Sequence, residues 1–378
     1  MKCVRCGKDS NYKDRSDRTC PGCKGRFAFE PKQGDPVTDV LFLNAIKAVS
    51  GEGKVRWGVE HLYYEVCRRK RGKVASWGCV LALLFLAAFF LGGAALAIFE
   101  FRKPHVFPFL VVPGVFAAFG TFAALVSRLR GPLVRVDSET FNRLWDRWKA
   151  VHGKPGGLIE RVPEPPVPKD LEADIGDYSF DRAVICDRAR TVDLLVANNF
   201  HFENNCAILS IDGYPKGPFP VVKAMLKRNP RLQVFVLHDA SVPGCRLAHR
   251  LVTDPEWFGG AGLRVIDLGL RPRHAGPFRG LLVYGDGVRL EPEDGISAEE
   301  SEWLARYKLE LAAARPEQVL KRLFAGLQAH ANDDPRARDT SSQGSDGGFV
   351  TTCGAFDAGS YGGGDADGGA DGGADAFG

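Results

Sequence analysis

Two charge-free apolar runs, Val74 to Phe99 and Val106 to Ser127, constrain this chain more than any other feature. Built as helices at about 1.5 Å per residue they would extend roughly 39 and 33 Å, each longer than a hydrocarbon core of about 30 Å. A helix buried in a soluble core keeps a polar stripe, whereas the stretch from Val80 to Leu91 is apolar on every face. The expectation is therefore a transmembrane helical hairpin, with helices over 74–99 and 106–127. Arg68-Arg69-Lys70-Arg71 and Lys73 precede the first run, and Arg128, Arg130 and Arg135 follow the second. The connector holds only Arg102 and Lys103, so the positive-inside bias implies a two-span, multi-pass cell-membrane protein with both termini in the cytoplasm. No signal peptide is read ahead of the runs, because the chain opens Met1-Lys2-Cys3 and stays polar. Gly92-Gly93, Gly114 and Gly120 are small enough to let two such helices approach closely.

Outside the runs the chain has the composition of a folded protein, 45% hydrophobic and 25% charged, which excludes a wholly disordered or fibrous class. The net charge of +4 hides an asymmetry, since basic residues crowd around the apolar runs and none follows Arg338. That crowding is read as topology determination and attraction to anionic headgroups, in preference to nucleic-acid binding. The ten cysteines are not spaced as a disulfide framework, and a reducing compartment suits them.

Four of those cysteines make the sharpest motif. Cys3-x2-Cys6 and Cys20-x2-Cys23 are two pairs with the spacing that lets each pair chelate one side of a tetrahedral Zn²⁺ from a tight turn. The neighbouring Gly7, Gly22 and Gly25 permit such turns. Residues 1–30 resemble a zinc ribbon, and an all-cysteine set leaves no open coordination position, so the ion would be structural and would supply the folding energy of a unit with almost no core.

Residues 36–72 read as a small helical unit: a helix over Asp39 to Val49, a short strand at Val55 to Trp57 and a helix over Val59 to Arg69, an order similar to half of a winged helix. The second helix contains Leu62-Tyr63-Tyr64 and distantly resembles the tyrosine segment of type IIB topoisomerase A subunits, with Glu60-His61 where that family carries an arginine. The resemblance implies a nucleophilic tyrosine; packing alone implies an aromatic pair seating the helix. A helix over Ser138 to His152 follows the apolar runs, then a proline-rich linker at Pro163 to Pro168, the two making up residues 138–177.

Residues 178–330 alternate strands and helices, which implies a parallel sheet covered on both faces. Strands are expected at Ala183 to Cys186, Cys206 to Ile211, Leu232 to Leu237 and Leu263 to Leu268. Helices are expected at Thr191 to Asn199, Pro220 to Arg228, Gly244 to Thr253, Ala298 to Ala313 and Pro316 to Ala329. The tail, 331–378, is mostly glycine, aspartate, serine and alanine and is expected to be disordered. The fold class is thus multidomain.

In a parallel α/β sheet the productive positions are the carboxyl ends of the strands. Those ends give Asp187, Asp212 and His238-Asp239, and carboxylates converging there would hold Mg²⁺ against phosphate oxygens. The arrangement resembles the Toprim domain of primases, topoisomerases and related nucleases over roughly residues 180–275. Where that family ends a strand in Glu-Gly, this chain has Asp187-Arg188; where it has Asp-x-Asp, this chain has Asp239-Ala240-Ser241, followed by Gly244. The resemblance implies a Mg²⁺ site at Asp187 and Asp239, with two of three acidic positions altered. The same two aspartates are placed to cap the helices that follow them. Arg271 and Arg273, with His274 and Arg279, would form an anion-binding edge beside Asp239 or a solvated basic loop. Cys245 and His249 read as a packed thiol and an ordinary histidine rather than as a nucleophile and base.

Two functions stay open on these residues. One is a membrane-anchored cytoplasmic binding or adaptor protein whose zinc ribbon and altered Toprim-like domain take a protein partner, a nucleotide or a nucleic acid without turnover. The other is a Mg²⁺-dependent phosphoryl-transfer enzyme or nuclease acting through Asp187 and Asp239, with His238 or Asp212 assisting.

Overall fold

The computed structural model describes residues 1–70, 77–99, 107–129, 133–134, 136–160, 182–228, 232–260, 263–287, 295–330 and 350–351. The connector 100–105, the proline-rich 163–168 and most of the tail lie outside them.

The amino-terminal residues form two turns around the cysteine pairs, and the unit is tied down by buried ions. Arg15 reaches Glu30 at 2.7 Å, both buried. Asp39, wholly buried, accepts from the N–H groups of Ala28 and Phe29 at 3.0 and 2.8 Å and lies 2.8 Å from His152 Nε2. One carboxylate thus joins the end of the cysteine-bearing segment to helices α1 (Asp39–Val49) and α5 (Ser138–His152). Thr38 and Asp137 cap these two helices through Leu41 N–H and Thr140 N–H. Helix α2 (Val59–Lys70) packs on α1, and Trp57 between them pairs with the strand-like 157–159 segment, Trp57 N–H to Gly157 O at 3.0 Å.

Helices α3 (Trp77–Phe99) and α4 (Phe107–Leu129) lie antiparallel, with Gly114 against Leu91 and Gly120 against Leu83. A Cβ at Gly114 would come within 2.8 Å of Leu91, so that glycine does allow the helices to approach, while Gly92 faces nothing within 4 Å. Among the described residues, however, no helix is long and apolar enough to cross a membrane. The expectations of two transmembrane spans and of a cell-membrane location are corrected accordingly. Two of the basic residues read as flanks of a span have another role. Arg68 and Arg69 pair with the buried Glu65, and Arg315 joins them at 2.9 Å.

The largest unit is the α/β part. Its elements are β1 (Arg182–Cys186), α6 (Ala189–Ala197), the single turn α7 (Phe200–Glu203), β2 (Cys206–Ser210), α8 (Phe219–Arg228), β3 (Gln233–Leu237), the short α9 (Val242–Cys245), α10 (Leu247–Thr253) and β4 (Val265–Asp267). The carboxyl-terminal part adds β5 (Val283–Tyr284), α11 (Ala298–Arg306), β6 (Tyr307–Lys308), α12 (Pro316–Ala329) and β7 (Val350–Thr351). The sheet order is β2-β1-β3-β4-β7, with every pairing parallel. Val350–Thr351 thus form a strand beside β4, so the tail expected to be disordered contributes that one pairing.

Alternation along the strands sorts side chains to two faces. Ala183, Ile185, Val234 and Val236 pack under α8 and α10 with Trp257 and Phe258. Val184, Cys186, Phe235 and Leu237 pack on the other face in one core shared with α6, α12, α2, α1 and α5. The core on that side of the sheet is therefore continuous with that of α1, α2 and α5, and α2 contacts the Leu311–Ala313 turn at the carboxyl edge.

Candidate functional site

At the amino terminus, the two cysteine turns repeat one geometry. Gly7 N–H donates to Cys3 O and Lys24 N–H to Cys20 O, each at 2.9 Å, with Gly7 and Lys24 both at positive φ. The four sulfur atoms lie within 4.8 Å of one another, Cys3 to Cys23 and Cys6 to Cys20 at 3.7 Å. A regular tetrahedron of Zn–S bonds near 2.3 Å has edges of about 3.8 Å, so the donor set is compatible with a zinc ion. Backbone N–H groups of Cys23 and Gly22 bring the Cys20 thiol down to about 6.

The second site grows from the sheet order. Because strands β1 and β3 are neighbours and their connections run to opposite faces, the switch point lies between them, and the crevice outside their carboxyl ends is where a doubly wound sheet takes ligands. Asp187 leaves β1 there and Asp239 leaves β3. Asp239 N–H donates to Asp187 Oδ2 at 2.8 Å, so the two carboxyl groups are direct neighbours. Leu311 N–H donates to Asp239 Oδ1 at 2.6 Å. Asp187 Oδ1 and Asp239 Oδ2 are buried without a hydrogen bond. Arg188 Nη2 stands 2.8 Å from Asp239 Oδ2 as an ion pair, and its Nη1 is 3.4 Å from Glu310. Burial, followed by the charge of Asp187, pushes the Asp239 carboxyl up to about 7, with Arg188 opposing; burial also raises Asp187.

Neither aspartate caps a helix, contrary to the sequence expectation. Helix α6 has Arg188 at its N-cap with no side-chain hydrogen bond, and Ser241, standing where the Toprim motif has its second aspartate, caps α9 through Gly244 N–H at 3.2 Å. Glu310 and Leu311 come to the site because α11 ends at Arg306. Tyr307 turns extended to pair with Val283–Tyr284, and Leu309 then pairs with Ala240. Sequence reading ran that helix through to Ala313 and so placed Glu310 within it.

His238 is completely buried behind the acid pair. Its Nδ1 lies 2.7 Å from the Asp239 carbonyl and its Nε2 2.9 Å from Asp267 Oδ1. Both neighbours are acceptors, so both ring nitrogens carry hydrogen. Burial opposes that charge, and the charge and hydrogen bond of Asp267 outweigh it and raise the His238 pKa. Asp267 is itself held well below the ordinary carboxylate range: burial works against the charge, and His238 and Arg271 override it. Arg271 is buried and spent on Asp267 and Glu300, at 2.9 and 3.1 Å, while Arg273 is exposed. Asp212 is exposed in the loop after β2. The structure thus joins Asp187, Asp239 and His238, and leaves Arg271, Arg273 and Asp212 outside the cleft. Asp267 went unread because the expected strand ran one residue past it, to Leu268.

A small open cleft on this edge is lined by Glu60 and His61 of α2, Arg188, Arg190, Thr191 and Leu194 of the β1–α6 segment, Asp239, and residues 310–312. Tyr64 lies behind it, fully buried, and burial with the neighbouring Glu310 and Asp239 charges drives its phenol far above the ordinary range. Tyr63 donates to Val136 O at 2.9 Å and stacks edge-on with Tyr64 and Phe141. Burial likewise raises the Cys245 thiol well above its ordinary value.

No protein-family model, curated protein or solved structure matches the chain.

Proposed function

We propose that this chain is a binding or adaptor protein, with a structural Zn²⁺ held by Cys3, Cys6, Cys20 and Cys23 and a Toprim-like α/β domain that takes its ligand at the carboxyl edge without metal-dependent turnover. The observation that carries this reading is Arg188. Its guanidinium sits against Asp239 Oδ2 and Glu310, where a divalent cation would have to bind. Asp187 Oδ2 and Asp239 Oδ1 are already spent on backbone N–H groups. A Mg²⁺ ion, which keeps few protein ligands and dehydrates reluctantly, does not fit beside that guanidinium.

The rival reading, Mg²⁺-dependent phosphoryl transfer or nuclease action through Asp187 and Asp239, has one observation in its favour, the two buried oxygens without hydrogen bonds. Thermal melting of the full chain with added Mg²⁺ or Mn²⁺ separates the two. The binding reading expects no cation-dependent rise in Tm beyond that of an Asp187→Asn, Asp239→Asn double variant. A rise that the double variant abolishes would establish the rival.

A further inference from the structure

We propose that the aspartate-rich segment after β7, residues 352–378, docks on this chain's own carboxyl edge, at the cationic cluster of Arg273, His274 and Arg322. This contact is separate from the acid-pair cleft and does not depend on what the cleft binds.

The cluster is built by the turn that follows β4 and by α12. Arg322 of α12 donates from Nε to Leu268 O at 3.0 Å, and Arg273 Nε lies 3.4 Å from His274 Nε2. His274 Nδ1 accepts from Arg271 N–H at 3.0 Å, and a neutral imidazole that accepts at Nδ1 carries its hydrogen on Nε2, the side of Arg273. The three side chains feel one another. Burial, then the charges of Arg322 and Arg273, bring His274 down to about 4. Burial brings Arg322 down to about 10, with Asp267 opposing the fall and Arg273 adding to it. Asp267, the carboxylate that offsets this charge, is already held by His238 and Arg271. Arg273 is exposed and makes no ion pair among the described residues. Two like charges held together in this way favour an anion beside them.

The strand beside that turn identifies the occupant. β7 pairs with β4 in parallel, Ile266 with Val350 and Asp267 with Thr351, so the chain after Thr351 leaves the sheet at the carboxyl edge, beside the Leu268 carbonyl that Arg322 holds. Residues 352–378 carry Asp357, Asp365, Asp367, Asp371 and Asp375 and no lysine, arginine or histidine. Asp357 stands six residues after Thr351, as Arg273 stands six after Asp267, the register partner of Thr351. An extended chain covers about 20 Å in that many residues. Each exposed ion pair is weak alone, but a flexible tether this short supplies an effective concentration on the order of millimolar. Asp339 and Asp346 are also acidic, yet they precede β7 and enter it at the opposite edge of the sheet.

The test is photocross-linking of the full chain with para-benzoylphenylalanine in place of Phe356, the adducts being mapped by mass spectrometry. Adducts should form within one chain and fall in residues 268–280 and 319–326. Changing the five aspartates of 352–378 to asparagine should cut their yield about threefold or more, and so should exposed Arg273→Ala; neither change touches the core. Raising NaCl from about 0.05 to about 0.5 M should do the same in the unaltered chain, because the screening length falls from above about 10 Å to a few ångströms. Asp339→Asn with Asp346→Asn should leave the yield as it was. Adducts elsewhere in the chain, adducts joining two chains, or a yield that the five asparagines do not change would overturn the proposal.

Discussion

Asp187 and Asp239 are joined through a backbone hydrogen bond, the N–H of Asp239 to Asp187 Oδ2 at 2.8 Å, across the two strands that flank the switch point of the sheet. Two carboxyl groups so close cannot both ionise freely in a buried setting, and they titrate as a pair.

Stability should fall as the pH rises through the window set by Asp239. Its carboxyl has an unfolded value near 3.8 and a folded value of about 7, so the native state holds more protons than the unfolded one between those limits. The stabilisation is complete below about pH 4 and is lost on the way to about pH 7. Asp239→Asn should flatten that slope relative to the unaltered chain. The difference should amount to several degrees in Tm, at about 2–4 °C per kcal/mol for a protein of this size class. Parallel slopes in the two proteins would contradict the burial of an ionisable Asp239.

The buried chain His238, Asp267, Arg271 and Glu300 makes Asp267 sensitive to substitution. Removing its charge leaves the buried His238 without a counter-ion beside Arg271, which keeps only Glu300. Asp267→Ala should cost about 3–5 kcal/mol in urea unfolding. A loss below about 1 kcal/mol, the usual worth of an exposed pair, would show that the network is solvated.

Gly269 fixes the ring of His238. A Cβ there would lie 2.3 Å from His238 Cδ2, a rigid and fully buried ring. Gly269→Ala should therefore destabilise by at least the roughly 1–3 kcal/mol of an overpacked core, measured by the same unfolding assay. Gly276→Ala, where nothing lies within 4 Å, should be nearly silent.

The ribbon should carry about one Zn²⁺ per chain after purification under reducing conditions. Cys20→Ser should release the metal and unfold the first thirty residues, seen as loss of amide-exchange protection there while residues 182–330 keep theirs. Full protection of residues 1–30 without metal would show that the ribbon is held by its contacts alone.

Much of this arrangement is legible from local pattern. Helices α1 and α5 have the same ends in sequence and structure because a side-chain cap and an apolar stripe define each one. The four strands stand where short apolar segments alternate with helices, and the strand-end rule singled out Asp187 and Asp239 before any contact was known. The spacing of Cys3, Cys6, Cys20 and Cys23 pointed to the cluster of four thiols that the fold brings together.

What escaped depends on contacts between distant segments. Glu310 reaches the site only because Tyr307 leaves the helix to pair with Tyr284, a tertiary competition that helix propensity does not contain. Arg68 and Arg69 read as membrane flanks until Glu65 and Arg315 are seen to claim the same space. Arg271 looked like an anion ligand and is held instead by Asp267, at the end of a strand expected to run one residue longer. Arg188 was visible as the residue in place of a glycine, but its position between Asp239 and Glu310 was not.

The central claim is that Arg188 occupies the cation's place at the acid pair. Electron paramagnetic resonance titration of free Mn²⁺ against the zinc-loaded full chain tests it most directly, comparing the unaltered protein with Arg188→Ala and with Arg188→Ala, Asp187→Asn. The account predicts no saturable Mn²⁺ binding in the unaltered chain, and a site in Arg188→Ala that the second substitution removes. Stoichiometric Mn²⁺ binding by the unaltered chain that is lost in Asp187→Asn would contradict it.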